Sequence, residues 1–328
     1  MIDLSIVIPI HNEEPNLEKL CRELTAALSG WGKSYEIIFV DDGSTDKSFS
    51  VLETLQLEDP RLRVIRFRRN FGQTAAFSAG FAHARGRLIV TSDGDGQNDP
   101  ADIQSLVKML EEQHLDIVCG WRRDRKDAFL SRLVPSFFAN RLISWATGVP
   151  LHDYGCSLKV FRSEVVKSIK LYGEMHRFIP AIASEQGVEV GEAVVNHRPR
   201  EHGRSKYGIS RTVRVVLDLL TVKFLLSYST RPLQIFGLVG LAMSIPGVLI
   251  MAYLTFVKFA MSESIANRPL LMLAVLLVFT GVQLLTLGLM AELLVRTYHE
   301  SQDKPTYVIR EIRESPALAA PAREYHRA

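Results

Sequence analysis

Cysteine is scarce in this chain: its 328 residues contain three, Cys21, Cys119 and Cys156. They are too scattered for a metal cluster or a disulfide framework, as suits a reducing compartment, and burial is their expected role. A surplus of charge is also missing. Charged residues make up 23% of the chain, yet the net charge is only +3, so no strong field points to nucleic acid as a partner. No G-x-G-x-x-G opens a helix after the first strand, no Walker A sequence occurs, and no internal repeat is visible. The first residues, MIDLSIVIPI, lack a basic region and read as a strand, so a cleavable signal is not expected. Two stretches lack charge altogether: residues 232–257 and 269–291 contain no Asp, Glu, Lys or Arg. Each exceeds the roughly 18–20 apolar residues that mark a membrane-spanning helix. A core helix apolar all round is the alternative.

Basic residues set the orientation of these spans. Arg211, Arg214, Lys223 and Arg231 precede the first, Arg296, Lys304, Arg310 and Arg313 follow the second, and the short loop between has only Lys258 and Arg268 at its edges. The positive-inside rule then places both termini in the cytoplasm. Gly237, Gly240, Gly281 and Gly288 within the spans suit close helix packing or a homo-oligomer.

The first 120 residues alternate strand and helix signals. LSIVIPI, YEIIFVDDGST, LRVIRFRRNFG, RLIVTSDGDG and DIVCGWRR are apolar strands with polar ends, separated by helical patterns such as LEKLCRELTAAL and PADIQSLVKMLEEQ. This is the signature of an α/β fold with a mostly parallel sheet. Ligands bind such sheets beyond the carboxyl ends of the strands. Those ends read His11-Asn12-Glu13, Asp41-Asp42-Gly43-Ser44, Arg68-Arg69-Asn70, Asp93-Gly94-Asp95 and Gly120-Trp121-Arg122-Arg123, and together they predict one site. Residues 129–148 and 211–230 are amphipathic and suited to the headgroup region or to packing on a soluble core. The expected layout is a cytoplasmic domain over 1–210 with an interfacial helix near 129–147, a juxtamembrane helix over 211–230, two spans, and a flexible Ala/Pro-rich tail over 303–328.

The stretch SDGDGQNDP crowds acidic groups that repel one another. An EF-hand reading fails, because Asn98 stands where Gly is needed and Gln104 where a bidentate Glu is needed. Asp99 and Pro100 suit a helix start. Asp93 and Asp95 are better explained by a hard divalent cation shared with substrate phosphates, the glycines letting a diphosphate approach. Asp41 and Asp42 would offer acceptors to a ribose or base.

In combination, SIVIPIHNE, VDDGSTD, RNFGQTAAFSAGF, SDGDGQNDP and DYGCSLKVFR resemble the inverting family 2 glycosyltransferases of GT-A (Rossmann-like) fold. The polyprenyl-phosphate branch is most similar: dolichyl-phosphate mannose synthases, polyprenyl-phosphate glucosyltransferases and undecaprenyl-phosphate formamidoarabinose transferases. DYGCSLKVFR, MHRFIPA and REHGRSKYG look most like the last group. The Q-x-x-R-W motif of processive synthases is absent, and the usual D-A-D-L-Q reads D-G-D-G-Q, which should loosen the loop.

The resemblance implies an enzyme moving one sugar from a nucleotide sugar, UDP-linked by preference, to polyprenyl phosphate. It implies that Asp93, Asp95 and Gln97 hold Mg²⁺ or Mn²⁺ against the diphosphate. Pro9, His11, Glu13 and Asp42 would contact the nucleoside, Arg122 and Arg132 the acceptor or sugar phosphate, and Arg200, Ser205 and Lys206 would close over the pyrophosphate. Asp153 lies where the family is sometimes assigned a base. A lipid monophosphate, with a second pKa near ~6, is already largely dianionic at neutral pH, so orienting an arginine or sugar hydroxyls suits Asp153 better. A polysaccharide or glycolipid acceptor, or a non-catalytic nucleotide-sugar sensor, are the alternatives.

Overall fold

The computed structural model describes residues 2–123, 140–141, 143–144, 147–169, 171, 175–184, 186–199, 232–260, 264–265, 268–301 and 306–315. They fall into two units, residues 1–222 with 305–328, and residues 223–304.

In the first unit, β1 (Leu4–Ile10), β2 (Tyr35–Asp41), β3 (Leu62–Phe67) and β4 (Leu88–Thr91) are runs buried on both faces, as strands covered by helices on either side must be. They alternate with α1 (Glu14–Leu28), α2 (Ser48–Glu58) and α3 (Gln73–His83). β1 pairs in parallel with β2 and β4, and β2 with β3. On α1, Leu17, Leu20, Cys21, Leu24 and Leu28 recur at helical spacing and are buried; on α4 (Asp102–Glu112), Ile103, Leu106, Val107 and Leu110 do the same. These stripes pack with Ile6, Ile8, Phe39 and Val64 in one apolar core. Each such side chain contributes about 1.5–3 kcal/mol relative to exposure.

β5 (Ile117–Trp121), the fifth expected strand, does not lie beside β4. β6 (Lys159–Arg162) intervenes, antiparallel to both, and β7 (Val190–Val194) runs parallel to β5. Two reversals restore direction, so β5 ends at the same edge as β4. Between β6 and β7 lie α5 (Ser163–Ser168), a 3-10 turn (Met175–Phe178) and α6 (Ile179–Ser184). The expectation of a flexible tail fails for part of 303–328. Residues Ile309–Arg313 form β8, antiparallel to β3, which completes the order β7-β5-β6-β4-β1-β2-β3-β8. The open edge of β3 supplies the backbone partners that the tail sequence does not announce. From the expected interfacial helix, residues 140, 141, 143, 144 and 147 are helical; Ile143 is buried, and Asn140 and Ser144 bond to the carbonyls of His152 and Leu151. The rest of that segment and all of 211–230 lie outside the described residues.

The second unit contains α7 (Pro232–Ala260) and α8 (Pro269–Ser301). Phe236–Ala260 and Pro269–Ala291 are long and apolar enough to cross a membrane. Leu238, Phe259 and Met272 are 72%, 77% and 80% exposed, which a soluble core helix would not tolerate. The helices pack through small residues: a Cβ on Gly240 would lie 2.7 Å from the Gly281 carbonyl, and one on Gly281 would collide with Ser244. Two of the four glycines thus serve packing within the chain.

Candidate active site

The carboxyl ends of β1, β2 and β3 are tied together by their own polar groups. Asp42 is buried, and its two oxygens accept the backbone N–H groups of Phe71 (2.6 Å) and Gly72 (2.9 Å). Burial pushes its carboxyl above the ordinary range, against the pull of those two bonds. Each oxygen keeps a lone pair for a ligand. The Asp42 carbonyl lies 3.0 Å from His11 Nδ1. Asp41 is fully buried; one oxygen accepts the Ser44 N–H (2.9 Å), while Oδ2 has no hydrogen-bond partner and faces Arg66 Nε at 3.6 Å. Gly43, at φ +65°, lets this turn touch the next loop, since a Cβ there would stand 2.5 Å from the Arg69 carbonyl carbon. Pro9 lies beyond the last β1–β4 pair, Val7↔Thr91, where a missing N–H costs the sheet nothing. Glu13 turns back on α1, accepting Asn16 Nδ2 at 2.7 Å.

The acidic loop follows β4. Gly94 does not loosen it: a Cβ there would run into Ile10 and approach the Pro9 carbonyl at 3.2 Å, so its small size seats the loop on β1. Gly96, at φ +71° with open space around it, supplies the turn. Asp93, half-buried, accepts Gln73 Nε2 on Oδ1 at 2.7 Å, and Asp95, which is buried, accepts the Gln97 N–H at 3.2 Å. Burial, and then the charge of Asp95, push the Asp93 carboxyl above the ordinary range; a bond from Ser157 and the charges of Arg122 and Arg177 oppose this. The Gln97 side-chain nitrogen is directed to His197 and the Arg198 carbonyl, leaving its oxygen as the ligand-type atom. Asp99 accepts the Ala101 N–H (3.1 Å) and pairs with Arg198 (2.8 Å). It thus stabilises the turn before α4, which begins two residues later than Pro100.

Arg122, at the end of β5, forks onto Asp153: Nε to Oδ2 at 2.7 Å and Nη2 to Oδ1 at 3.0 Å. The pair is 12% and 5% exposed. Burial works against the guanidinium charge, but Asp153 outweighs it and raises the Arg122 pKa. Asp153 Oδ1 also accepts the Gly155 N–H (3.1 Å), and Glu192 holds the Asp153 and His152 backbone N–H groups. Both carboxylate oxygens of Asp153 are therefore occupied by donors.

Of the residues the sequence singled out, Asp41, Asp42 and His11 meet at one turn, Asp93, Asp95 and Gln97 share one loop, and Arg122 and Asp153 form one pair. Arg132, Arg200, Ser205 and Lys206 lie outside the described residues. Gln73 and Arg177, which bear on Asp93, were not singled out, although both sit inside quoted motifs, RNFGQTAAFSAGF and MHRFIPA. The loop fits a divalent cation, because two carboxylates crowded into one partly buried loop repel each other and a cation between them relieves this. Among the described residues no group of three or more His, Cys, Asp or Glu could hold a metal. Two carboxylates and one amide would leave the remaining positions to phosphate oxygens and water, the pattern Mg²⁺ favours.

The profile of glycosyl transferase family 2 matches residues 5–170, half of the chain. The chain belongs to glycosyl transferase family 2. Within the family, it is 48% identical over 323 residues to a dodecaprenyl-phosphate galacturonate synthase of Rhizobium johnstonii, covering 97% of this chain and 95% of that protein. It is 37% identical over 324 residues to an undecaprenyl-phosphate 4-deoxy-4-formamido-L-arabinose transferase of Pseudomonas paraeruginosa, covering 98% and 94%. Among solved structures, it resembles mannosyl-3-phosphoglycerate synthase from Rubrobacter xylanophilus (TM-score 0.57, 15% identity, 68% of this chain and 74% of that one). A second is glucosyl-3-phosphoglycerate synthase from Mycobacterium tuberculosis, in complex with Mn²⁺, uridine diphosphate and glucosyl-3-phosphoglycerate (TM-score 0.54, 18% identity, 68% and 80%). At these identities the structural likeness concerns the family's GT-A fold alone.

Proposed function

We propose that this family 2 enzyme moves a single sugar from a nucleotide sugar, UDP-linked by preference, to polyprenyl phosphate at the cytoplasmic face of the inner membrane. The observation that carries this reading is the full-length match to two polyprenyl-phosphate enzymes, which runs through both apolar helices as well as the α/β domain. The helices would anchor the domain where a lipid phosphate lies, with both termini in the cytoplasm.

The lipid phosphate oxygen attacks the anomeric carbon. The bond from that carbon to the nucleoside diphosphate breaks with its electron pair going to the β-phosphate oxygen, and the sugar is inverted. Since the phosphate is already dianionic, no base has to take a proton from it. Asp153, with both oxygens occupied, fixes Arg122 in this reading, and the guanidinium N–H groups not used by Asp153 are the ones offered to a phosphate. Asp42 and His11 bound the nucleoside side; by motif, Arg132 meets the acceptor phosphate, and Arg200, Ser205 and Lys206 close over the pyrophosphate. A divalent cation, Mg²⁺ or Mn²⁺, held by Asp93, Asp95 and Gln97, would supply charge stabilisation for the departing diphosphate.

The test is incubation of membranes containing the protein with undecaprenyl phosphate and a panel of labelled nucleotide sugars headed by UDP-galacturonic acid. A chloroform-soluble, mild-acid-labile product is expected. No such product with any donor overturns the proposal, and a product indifferent to added polyprenyl phosphate redirects it to a polysaccharide or glycolipid acceptor.

A further inference from the structure

β8 follows both apolar helices in the chain, yet it closes the sheet beside β3 and reaches the nucleoside end of the site. Arg66 and Glu311 stand directly opposite each other across β3 and β8, and the Arg68 N–H donates to the Val308 carbonyl at 3.1 Å. The Arg66 guanidinium lies over the Phe49 ring at 3.9 Å, with Nη1 3.3 Å from Glu311 Oε1 and Nε 3.6 Å from Asp41 Oδ2. It is thus suspended between two carboxylates. On the other face, Tyr307 stacks on Phe67 (centroids 5.2 Å apart, planes at 13°), and Phe67 meets Phe71 edge-on at 5.7 Å. Phe71 supplies one of the two N–H groups on Asp42.

We propose that β8 is a working part of the nucleotide subsite: Glu311 positions Arg66 against Asp41, and Tyr307 braces the Phe67–Phe71 pair that holds Asp42. The inference rests on the reading of this edge as the donor site. The attraction of the Arg66 charge is divided between Asp41 and Glu311, which stand on either side of it. At 3.6 Å Arg66 neutralises Asp41 without taking up Oδ2 as an acceptor. Removing the Glu311 charge lets the guanidinium collapse onto that buried oxygen and pulls on the Asp41–Ser44 turn, which carries Asp42. Glu311 and Tyr307 are positioning residues, because they act through Arg66 and Phe71.

The test uses the full chain in detergent with Mn²⁺, titrated with UDP, GDP and CDP, the tightest binder serving for the variants. Glu311→Gln and Tyr307→Ala are each expected to weaken nucleotide binding and raise the donor KM about five- to tenfold, leaving kcat within about twofold. Glu314→Gln is the comparator. Glu314 pairs with Arg63 and Arg85 at the far end of β8, both at 2.9 Å, so this change should lower Tm without altering nucleotide affinity. Unchanged affinity in both Glu311→Gln and Tyr307→Ala, or an equal loss in Glu314→Gln, would mean that β8 only adds stability and would overturn the inference. If the wild-type protein binds no nucleoside diphosphate, the donor reading fails and takes this inference with it.

Discussion

Replacing Asp153 by Asn separates two roles for the pair it forms with Arg122. The change keeps the side chain's shape and one acceptor oxygen but removes its charge, and it puts an NH₂ group against one arm of the Arg122 fork. Both partners are nearly buried, at 12% and 5% exposure, so solvent screening is weak. Breaking a buried pair from one side costs about 3–5 kcal/mol; the retained oxygen argues for the lower end, about 3 kcal/mol. For a domain of this size each kcal/mol moves Tm by about 2–4 °C, which gives a fall of about 6–12 °C. Thermal unfolding of the detergent-solubilised protein reads this directly. Replacing both residues by apolar ones, Arg122→Met with Asp153→Leu, should recover most of the stability, since neither charge of the pair is then left without its partner, but not activity, because Asp93 also loses the Arg122 charge. Measured where the protein is folded, the single variant should lose activity less than about tenfold, because the lipid phosphate needs no base. A Tm change under about 2 °C with a rate loss above about 100-fold would refute the reasoning and establish Asp153 as a general base.

Asp95→Asn should lower sugar transfer by at least about 100-fold, and chelation of the wild-type protein should abolish transfer until Mg²⁺ or Mn²⁺ is restored, as product formation will show. His176 is half-buried beside Thr74 (2.8 Å), and desolvation, then the charges of Arg177 and Lys159, hold its pKa well below 6.5. The unfolded chain therefore takes up a proton below pH 6.5 that the folded one refuses. Stability should fall as pH drops through that window, by at most about 1.4 kcal/mol per pH unit, and a Tm series should be flatter for His176→Gln. Gly43→Ala forces a Cβ to 2.5 Å from the Arg69 backbone at φ +65° and should cost about 2–4 kcal/mol in denaturant unfolding. Glu36→Gln removes one of the two carboxylates that meet Arg63, which is 3% exposed and lies 2.9 Å from Glu36 and 2.9 Å from Glu314. With Glu314 still in place, the expected loss is below about 3 kcal/mol in the same assay.

The sequence by itself determined the first five strands of the α/β domain, because runs buried on both faces must be apolar without alternation, and it pointed to a candidate site, because polar residues recur where those runs end. It also determined the two apolar helices by their length without charge, and the exposure of Leu238, Phe259 and Met272 then set the core-helix alternative aside. Asp93-x-Asp95 was legible for a similar reason: two carboxylates so close require compensation nearby. What that compensation includes was not legible. Arg122, Arg177 and Gln73 come from three distant segments and reach Asp93 only through the order of the strands. Gly94 read as a loosening residue, yet what matters there is the Ile10 side chain beneath it. Only the tertiary structure decided that Asp153 spends its oxygens on Arg122, 31 residues away. It alone decided, too, that a tail expected to be flexible becomes β8. The five residues of β8 carry three charges and no strict alternation. They form a strand because β3 offers an unpaired edge and because Arg63, Arg66 and Arg85 stand where Glu311 and Glu314 can meet them. Local sequence sets what a segment can bury; the partner that completes its hydrogen bonds and charges exists only once the chain has folded.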